Sequence, residues 1–207
     1  MLAPSTVERV SQCLPIPEPW NNDVRQSWVS LLGAGRAAVP VLEALDQEGI
    51  VSSLIPEWEA VRSLPQRNPI HEFTVDRHLV ETAVHAGQRA RDVARPDLLL
   101  VGAFLHDIGK GYPGDHSVVG ADMTRDIAER MGFNPADVAT LELLVRHHLL
   151  LPDIATRRDL NDPATVATVV DLVPDVESLE LLHALTWADA EATGPSVRSS
   201  WRRRLIT

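Results

Sequence analysis

The sequence predicts an all-α helical bundle. Apolar residues recur at helical spacing from Asn22 onward, and glycine and proline punctuate the chain at the intervals helices would need. No stretch alternates apolar and polar residues with the period of two that a half-buried strand requires. Neither an internal repeat nor a low-complexity tract is present.

Pro4, Pro15, Pro17 and Pro19 make residues 1–20 an irregular or extended lead-in. Val24, Trp28, Leu31 and Leu32 then line one face of a helix stopped by Gly33 and Gly35. Val39, Leu42 and Leu45 line another, stopped at Gly49. Residues 56–70, rich in proline and turn formers, read as a linker. The chain is therefore divided into a helical lead-in and linker, residues 1–70, and a main domain, residues 71–207.

Within the main domain Thr74 is placed to cap a helix running to about Ala94. Pro96 opens the next at its first helical position, with Gly109 or Gly111 as its end. A helix over residues 117–130 is closed by Gly132, and Asn134-Pro135 opens one that reaches Leu150. Asp162-Pro163 starts a further helix, and residues 175–193 form the last long one before Gly194-Pro195. A short basic helix at Trp201-Arg202-Arg203-Arg204 completes the expectation.

The totals exclude several classes. With 207 residues, 44% of them hydrophobic and 23% charged, the composition is that of a globular protein. A net charge of −10 argues against a general nucleic-acid binder and against docking on an anionic membrane. Cys13 is the only cysteine, so neither an internal disulfide nor a thiolate metal cluster is possible. The longest apolar run, residues 98–105, is far too short to span a bilayer. The first residues lack the basic stretch and apolar core of a secretory signal, and a cytoplasmic location is expected.

That apolar run ends in His106-Asp107-Ile108-Gly109-Lys110. A buried carboxylate is costly unless it is compensated, and a divalent cation is the simplest compensation. Other predicted helices supply matching residues: His78, His116, His147 or His148, and Asp189. Helical bundles build metal sites from such inward-facing side chains. Imidazole and carboxylate without thiolate suit Mn, Fe or Zn, or Mg with more water, and histidine favours the transition metals. Six ligands exceed what one tetrahedral ion needs and suffice for two ions clamping a phosphoryl group.

Each residue also has a plainer reading. A lone His-Asp pair is commonly accidental, His78 suits a core histidine, and Asp189 suits a solvated helix face. His116 fits a turn cap, and His147 and His148 fit a helix C-terminus where cationic side chains are favoured. Lys110 is either a point charge for a phosphate oxygen or a surface lysine at a helix end. Gly109, Gly111 and Gly114 either let backbone approach a ligand or simply stop the helix. Adjacent helical residues point about 100° apart, which leaves His147 and His148 as alternatives. His71, His85 and His183 are read as structural.

His78, then His106-Asp107, then Asp189 in helical context resembles the HD phosphohydrolase superfamily, whose members are all-α and metal-dependent and mostly cleave phosphomonoesters or phosphodiesters. His116 and His148 resemble the subgroup with two metals. A closer resemblance covers nearly the whole chain. The stretches Phe73-Thr74-Val75-Asp76-Arg77-His78, Ala103-Phe104-Leu105-His106-Asp107-Ile108-Gly109-Lys110-Gly111, Gly114-Asp115-His116-Ser117, Leu144-Val145-Arg146-His147-His148-Leu149-Leu150 and Leu185-Thr186-Trp187-Ala188-Asp189-Ala190-Glu191-Ala192-Thr193 look like the central HD region of the bifunctional PII uridylyltransferase/uridylyl-removing enzymes. So does Arg157-Arg158-Asp159-Leu160-Asn161-Asp162-Pro163, and residues 21–60 resemble the linker preceding that region.

The resemblance implies an HD-domain bundle with metal ligands on facing helices. It implies hydrolysis of a nucleotidyl group, UMP or AMP, from a tyrosine of the nucleotidylated PII signal protein. One ion is expected on His78, His106, Asp107 and Asp189, with Asp107 bridging to a second on His116 and His148; the resemblance favours His148 over His147. Lys110 is expected to bind the phosphate and, with Asp107, to serve catalysis, while Asp115 orients His116 or supports the ligands. The expected cofactor is one or two ions of Mn, Fe, Mg or Zn, and the expected partners are the modified PII protein and a nucleotide, with no nucleic acid and no membrane. The family's nucleotidyltransferase module carries a Gly-Ser turn and an Asp-x-Asp pair. Neither occurs here, so the segment is expected to carry the removing reaction without the transferring one. Two rivals remain: an HD phosphohydrolase of free or cyclic nucleotides, and a regulatory module that binds metal and nucleotide without turnover.

Overall fold

The computed structural model describes residues 4–12, 15–66, 71–159 and 162–194. Among these residues there is no strand, and the expected all-α architecture holds. The helices are α1 (Pro4–Ser11), α2 (Asn22–Leu32), α3 (Ala38–Gln47), α4 (Ile50–Leu54), α5 (Val75–Gln88), α6 (Pro96–Leu105), α7 (His116–Arg130), α8 (Pro135–Arg146), α9 (Leu150–Arg157), α10 (Pro163–Leu172) and α11 (Val176–Thr193). Short 3-10 turns occupy Gly35–Ala37, Pro56–Ala60 and Ile108–Gly111.

Local chemistry sets most boundaries. The side chains of Asn21, Asp115, Asn134, Asp162 and Asp175 each accept from a backbone N–H in the first turn of the helix that follows. Proline stands in the first turn of α6, α8 and α10, where its missing N–H costs nothing. Thr74 holds the cap position of α5 in extended conformation, but its side chain makes no capping bond.

The bundle forms around α6. Every residue from Leu98 to Leu105 is buried, as befits a helix apolar on all sides. α5, α8 and α11 pack against it, α7 packs along α8, and α11 lies along α5. These contacts bring the C-terminal end of α6, the first turns of α5 and α7, the end of α8 and the last third of α11 to one locality.

Five sequence expectations are corrected. Residues 4–11 are helical rather than extended, because Pro4 at a helix start leaves the following residues free to hydrogen-bond. The helix from Thr74 stops at Gln88, and residues 89–92 turn back through hydrogen bonds to Ala86, Gly87 and Arg89. α6 stops at Leu105 rather than at a glycine. The helix from Asn134 breaks at His147, and Pro152 sits inside the first turn of the separate helix α9, a position proline tolerates. Residues 56–66 do not run as a free linker: Ile55, Trp58 and Val61 are buried in the same core as α6. The expected basic helix at residues 201–204 lies outside the described residues.

The lead-in is joined to the rest by apolar and polar contacts. Trp20, Trp28 and Phe104 pack edge to face in series, at 6.4 and 5.4 Å between centroids. Arg25 donates to the carbonyl of Gly132, Arg130 pairs with Glu57, and the Trp20 N–H donates to the Arg130 carbonyl at 2.8 Å. Gly132 adopts φ +74°, and a Cβ there would lie 2.4 Å from the Trp20 carbonyl oxygen, so only glycine suits this crossing.

Candidate metal centre

The close of α6 delivers two candidate ligands at once. His106 caps the helix, and its Nδ1 lies 2.9 Å from the Ala103 carbonyl oxygen. A carbonyl only accepts, so this contact places the proton on Nδ1 and turns Nε2 inward as a lone-pair donor. His148 repeats the arrangement after α8, with Nδ1 2.7 Å from the Val145 carbonyl oxygen. Backbone carbonyls thus set the orientation of two imidazoles, as ligands of metals commonly require.

Asp107 lies between two histidine groups. Its Oδ2 is 3.4 Å from His106 Nε2 and 3.7 Å from His78 Nε2. Its Oδ1 is 3.6 Å from both His116 Nε2 and His148 Nε2. Asp189 closes the first group, with Oδ1 3.0 Å from His78 Nε2 and 3.7 Å from His106 Nε2. His78, His106 and Asp189 therefore offer ligand atoms within 4.8 Å of one another, and so do Asp107, His116 and His148. The rings of His78, His106, His148 and His116 follow in a row at 5.2–5.4 Å.

The glycines around Lys110 serve packing. A Cβ on Gly109 would meet the His116 carbonyl oxygen at 2.2 Å and the Gly120 nitrogen at 2.6 Å. One on Gly111 would meet Ala60 at 2.6 Å. The Ile108–Gly111 turn is thus pressed onto α7 and onto the lead-in, so the glycines approach the protein's own backbone. Asp115 accepts from the N–H groups of Ser117 and Val118, capping α7 and fixing His116 as its first residue. Its carboxyl is held below the usual range, first by the Ser117 N–H.

The electrostatics suit a cation. Burial pushes the carboxyl pKa of Asp107 upward, but His106, Lys110 and His148 outweigh it and hold the group well below its ordinary value. Asp189 is likewise lowered against burial by His78 and His106. Burial lowers His148 to about 4, against the pull of Asp107, so its ring is neutral near pH 7 and able to donate a lone pair. Burial also opposes protonation of His106, but Asp107 and Asp189 raise it: the pocket draws positive charge.

The hydrogen bonding is incomplete. Among the described residues, both ring nitrogens of His78, His106 Nε2 and Asp107 Oδ1 are buried without a hydrogen-bond partner. The short His78–Asp189 approach lacks hydrogen-bond alignment. Unmatched buried polar atoms are rare and call for an explanation. Divalent cations supply one: the donors are imidazole nitrogens and carboxylate oxygens, grouped in two sets that meet at Asp107, and the residues fit such ions.

All six candidate ligands inferred from the sequence come together here, and Lys110 joins them with Nζ 2.5 Å from Asp107 Oδ2. His147 does not: it is half-buried outside the two groups, its pKa lowered by burial and by Arg146. His85 lies against Trp187 and belongs to neither group. Sequence reasoning missed three neighbours. The His71 ring stands edge to face against His78 at 5.3 Å. Thr193 Oγ1 lies 3.2 Å from Asp189 Oδ1, within hydrogen-bond reach, and Gln66 Oε1 accepts from Lys110. Thr193 stands four residues beyond Asp189, a spacing that would have revealed it; nothing local marks Gln66 or His71.

An all-α bundle with adjoining His/Asp groups on its facing helices defines a class of metal-centre domain. The HD domain family model matches residues 75–192, and the chain belongs to that family. Its relatives include bifunctional uridylyltransferase/uridylyl-removing enzymes. That of Streptomyces coelicolor is 60% identical over 192 residues, covering 93% of this chain and 23% of the relative. That of Mycobacterium tuberculosis is 52% identical over 204 residues, covering 98% and 25%, and that of Corynebacterium glutamicum 40% identical over 205 residues, covering 99% and 29%. The chain thus spans about a quarter of the length of these curated relatives.

Proposed function

We propose that this chain is a metal-dependent phosphodiesterase that removes a nucleotidyl group, UMP or AMP, from a tyrosine of the PII nitrogen-signalling protein. The observation that carries the reading is Asp107, whose two carboxylate oxygens face separate histidine groups across the end of α6. The names of the relatives support the nucleotidyl-removing reaction. Residues 71–207 carry the metal centre in this reading, preceded by the helical lead-in and linker of residues 1–70.

His78, His106, Asp107 and Asp189 would hold one divalent ion, and Asp107, His116 and His148 a second. The histidine content favours Mn, Fe or Zn over Mg. Such ions lower the pKa of water and draw negative charge from phosphoryl oxygens. The chain's own groups do the rest. Lys110, held beside Asp107, neutralises charge as it builds on the phosphoryl oxygens. The carbonyls of Ala103 and Val145 keep His106 and His148 turned inward, so the site is organised before substrate arrives. A P–O bond to water forms and the P–O bond to tyrosine breaks. The phenol leaves with an ordinary pKa of about 10, and needs less acid assistance than an alkoxide. The net charge of −10 speaks against nucleic acid as substrate. No single helix among the described residues is long and apolar enough to cross a membrane.

The test compares nucleotidylated PII protein with a panel of free and cyclic nucleotides after metal-supplemented purification, together with elemental analysis. Release of the mononucleotide from PII protein, with two equivalents of Mn, Fe or Zn bound, is expected. Turnover of free nucleotides alone would move the substrate to a small molecule. Metal and nucleotide bound without turnover would make the chain a regulatory module.

A further inference from the structure

Gln66 lies outside every motif that marks the site, yet its side chain reaches Lys110. Its Oε1 accepts from Lys110 Nζ at 3.1 Å. An ammonium has donors only, so the amide turns its oxygen rather than its NH2 to the lysine. That NH2 group is buried and has no acceptor among the described residues. Lys110 Nζ is in turn 2.5 Å from Asp107 Oδ2, at the junction of the two ligand groups. On the same stretch of chain, the His71 ring packs against His78. A buried amide donor without an acceptor, one side chain away from a cationic group at the metal centre, is suited to an anionic oxygen.

We propose that Gln66 contacts the substrate, its Nε2 donating to a non-bridging oxygen of the phosphoryl group that Lys110 neutralises. The proposal rests on the phosphodiesterase reading above and adds to it a residue from the segment that precedes the HD match. Lysine and amide then act together: the amide oxygen holds the ammonium in place while the amide NH2 and the ammonium both donate to the phosphoryl group. A hydrogen bond to a charged group of this kind is worth a tenfold to roughly hundredfold change in affinity.

The test uses the whole chain, labelled with nitrogen-15, loaded with Zn or Mg and titrated with inorganic phosphate. The Gln66 side-chain NH2 signal, assigned by its absence from Gln66→Met, is expected to move with phosphate and to saturate with it. Gln66→Met should weaken phosphate binding about ten- to a hundredfold at unchanged metal content. Gln66→Glu keeps the acceptor for Lys110 but loses the donors, and should weaken binding at least as much. An NH2 signal that phosphate leaves in place, as when a water molecule is its partner, overturns the proposal, and so does phosphate affinity in both variants within twofold of the parent. If Gln66→Met misfolds, the parent signal and Gln66→Glu decide. A chain that binds phosphate through Gln66 but hydrolyses no phosphodiester sinks the hydrolase reading alone. One that hydrolyses phosphodiesters with kcat/KM unchanged in Gln66→Met sinks this proposal alone.

Discussion

Trp58 stacks on Phe104 with ring centroids 4.9 Å apart and an interplanar angle of 8°. Phe104 stands two residues before His106, so a residue well outside the HD match packs directly under the end of the helix that carries the candidate ligands. Trp58 Nε1 also donates to Asp46 at 2.7 Å, which holds the indole in register. Trp58→Ala should cost about 3–5 kcal/mol through the lost burial and the cavity left behind, measurable by urea denaturation. Trp58→Phe, which keeps a ring on Phe104, should cost clearly less. Equal losses in the two variants would show that the stack is not what matters.

Gly109 is the tightest point in the site. A methyl there would sit 2.2 Å from the His116 carbonyl oxygen, and backbone cannot yield as a flexible side chain would. Gly109→Ala should destabilise by about 3 kcal/mol, the upper range for overpacking, and should displace the start of α7 with His116. Thermal unfolding and metal stoichiometry together check this: bound metal is expected to fall even at temperatures where the variant remains folded.

His147 and His148 should behave oppositely. His148 presents Nε2 to Asp107, whereas His147 lies outside both groups. His148→Ala is expected to lose one equivalent of metal and nearly all activity, and His147→Ala neither. Elemental analysis of the two purified variants distinguishes them, and a reversed result would move the second group to the neighbouring residue.

Removing the metal should lower stability. The clustered carboxylates and imidazoles leave several buried polar atoms unmatched without a cation. Ligands that bind only the folded state stabilise by mass action, about 2.7 kcal/mol at a hundredfold excess over Kd. Chelation should therefore lower Tm, and restored Mn or Zn should raise it in a concentration-dependent way. In His106→Ala with Asp107→Ala, helicity by circular dichroism is expected to persist while the metal response disappears.

Acid should weaken the Arg95 cluster. Arg95 pairs with Asp97 at 2.8 Å and with Asp137 at 2.6 Å, joining the start of α6 to α8. Burial raises the pKa of Asp97, but Arg95 overcomes it and holds the carboxyl below its ordinary value. A carboxyl depressed by folding stabilises the protein above its unfolded pKa, and that contribution is lost as pH falls through the folded value. Arg95→Leu should cost about 2 kcal/mol at pH 7, between the limits for exposed and buried pairs. Its deficit should shrink as pH drops from 5 toward 3, as followed by urea midpoints. A deficit that stays constant over that range would exclude the ion pair as its source.

Much of the fold was legible because helix boundaries are local. Asn134-Pro135, Asp162-Pro163 and Asp175 act on the backbone within three residues, and each starts a helix where the sequence places one. The departures had two sources, proline tolerated in a helix's first turn and distant packing. Pro152 looked like a stop and lies in the first turn of α9. The proline-rich stretch from residue 56 looked like a linker, but burial of Trp58 and Val61 against the main core holds it down.

The sequence by itself determined an all-α chain, the helix caps, the side chains able to hold a cation, and the compensation that Asp107 needs after an apolar run. The resemblance already pointed to His148 and to an Asp107 shared by two groups; the tertiary structure set His148 within reach of Asp107 with His147 outside, and only it placed Gln66 and His71 beside them. The glycines of the His106–Gly111 stretch were also decided there: they close against α7 and Ala60. The physical reason is range. Caps and periodicity act over one or two helical turns, whereas a site drawn from α5, α6, α7, α8 and α11 exists only once their apolar faces have packed around Leu98 to Leu105.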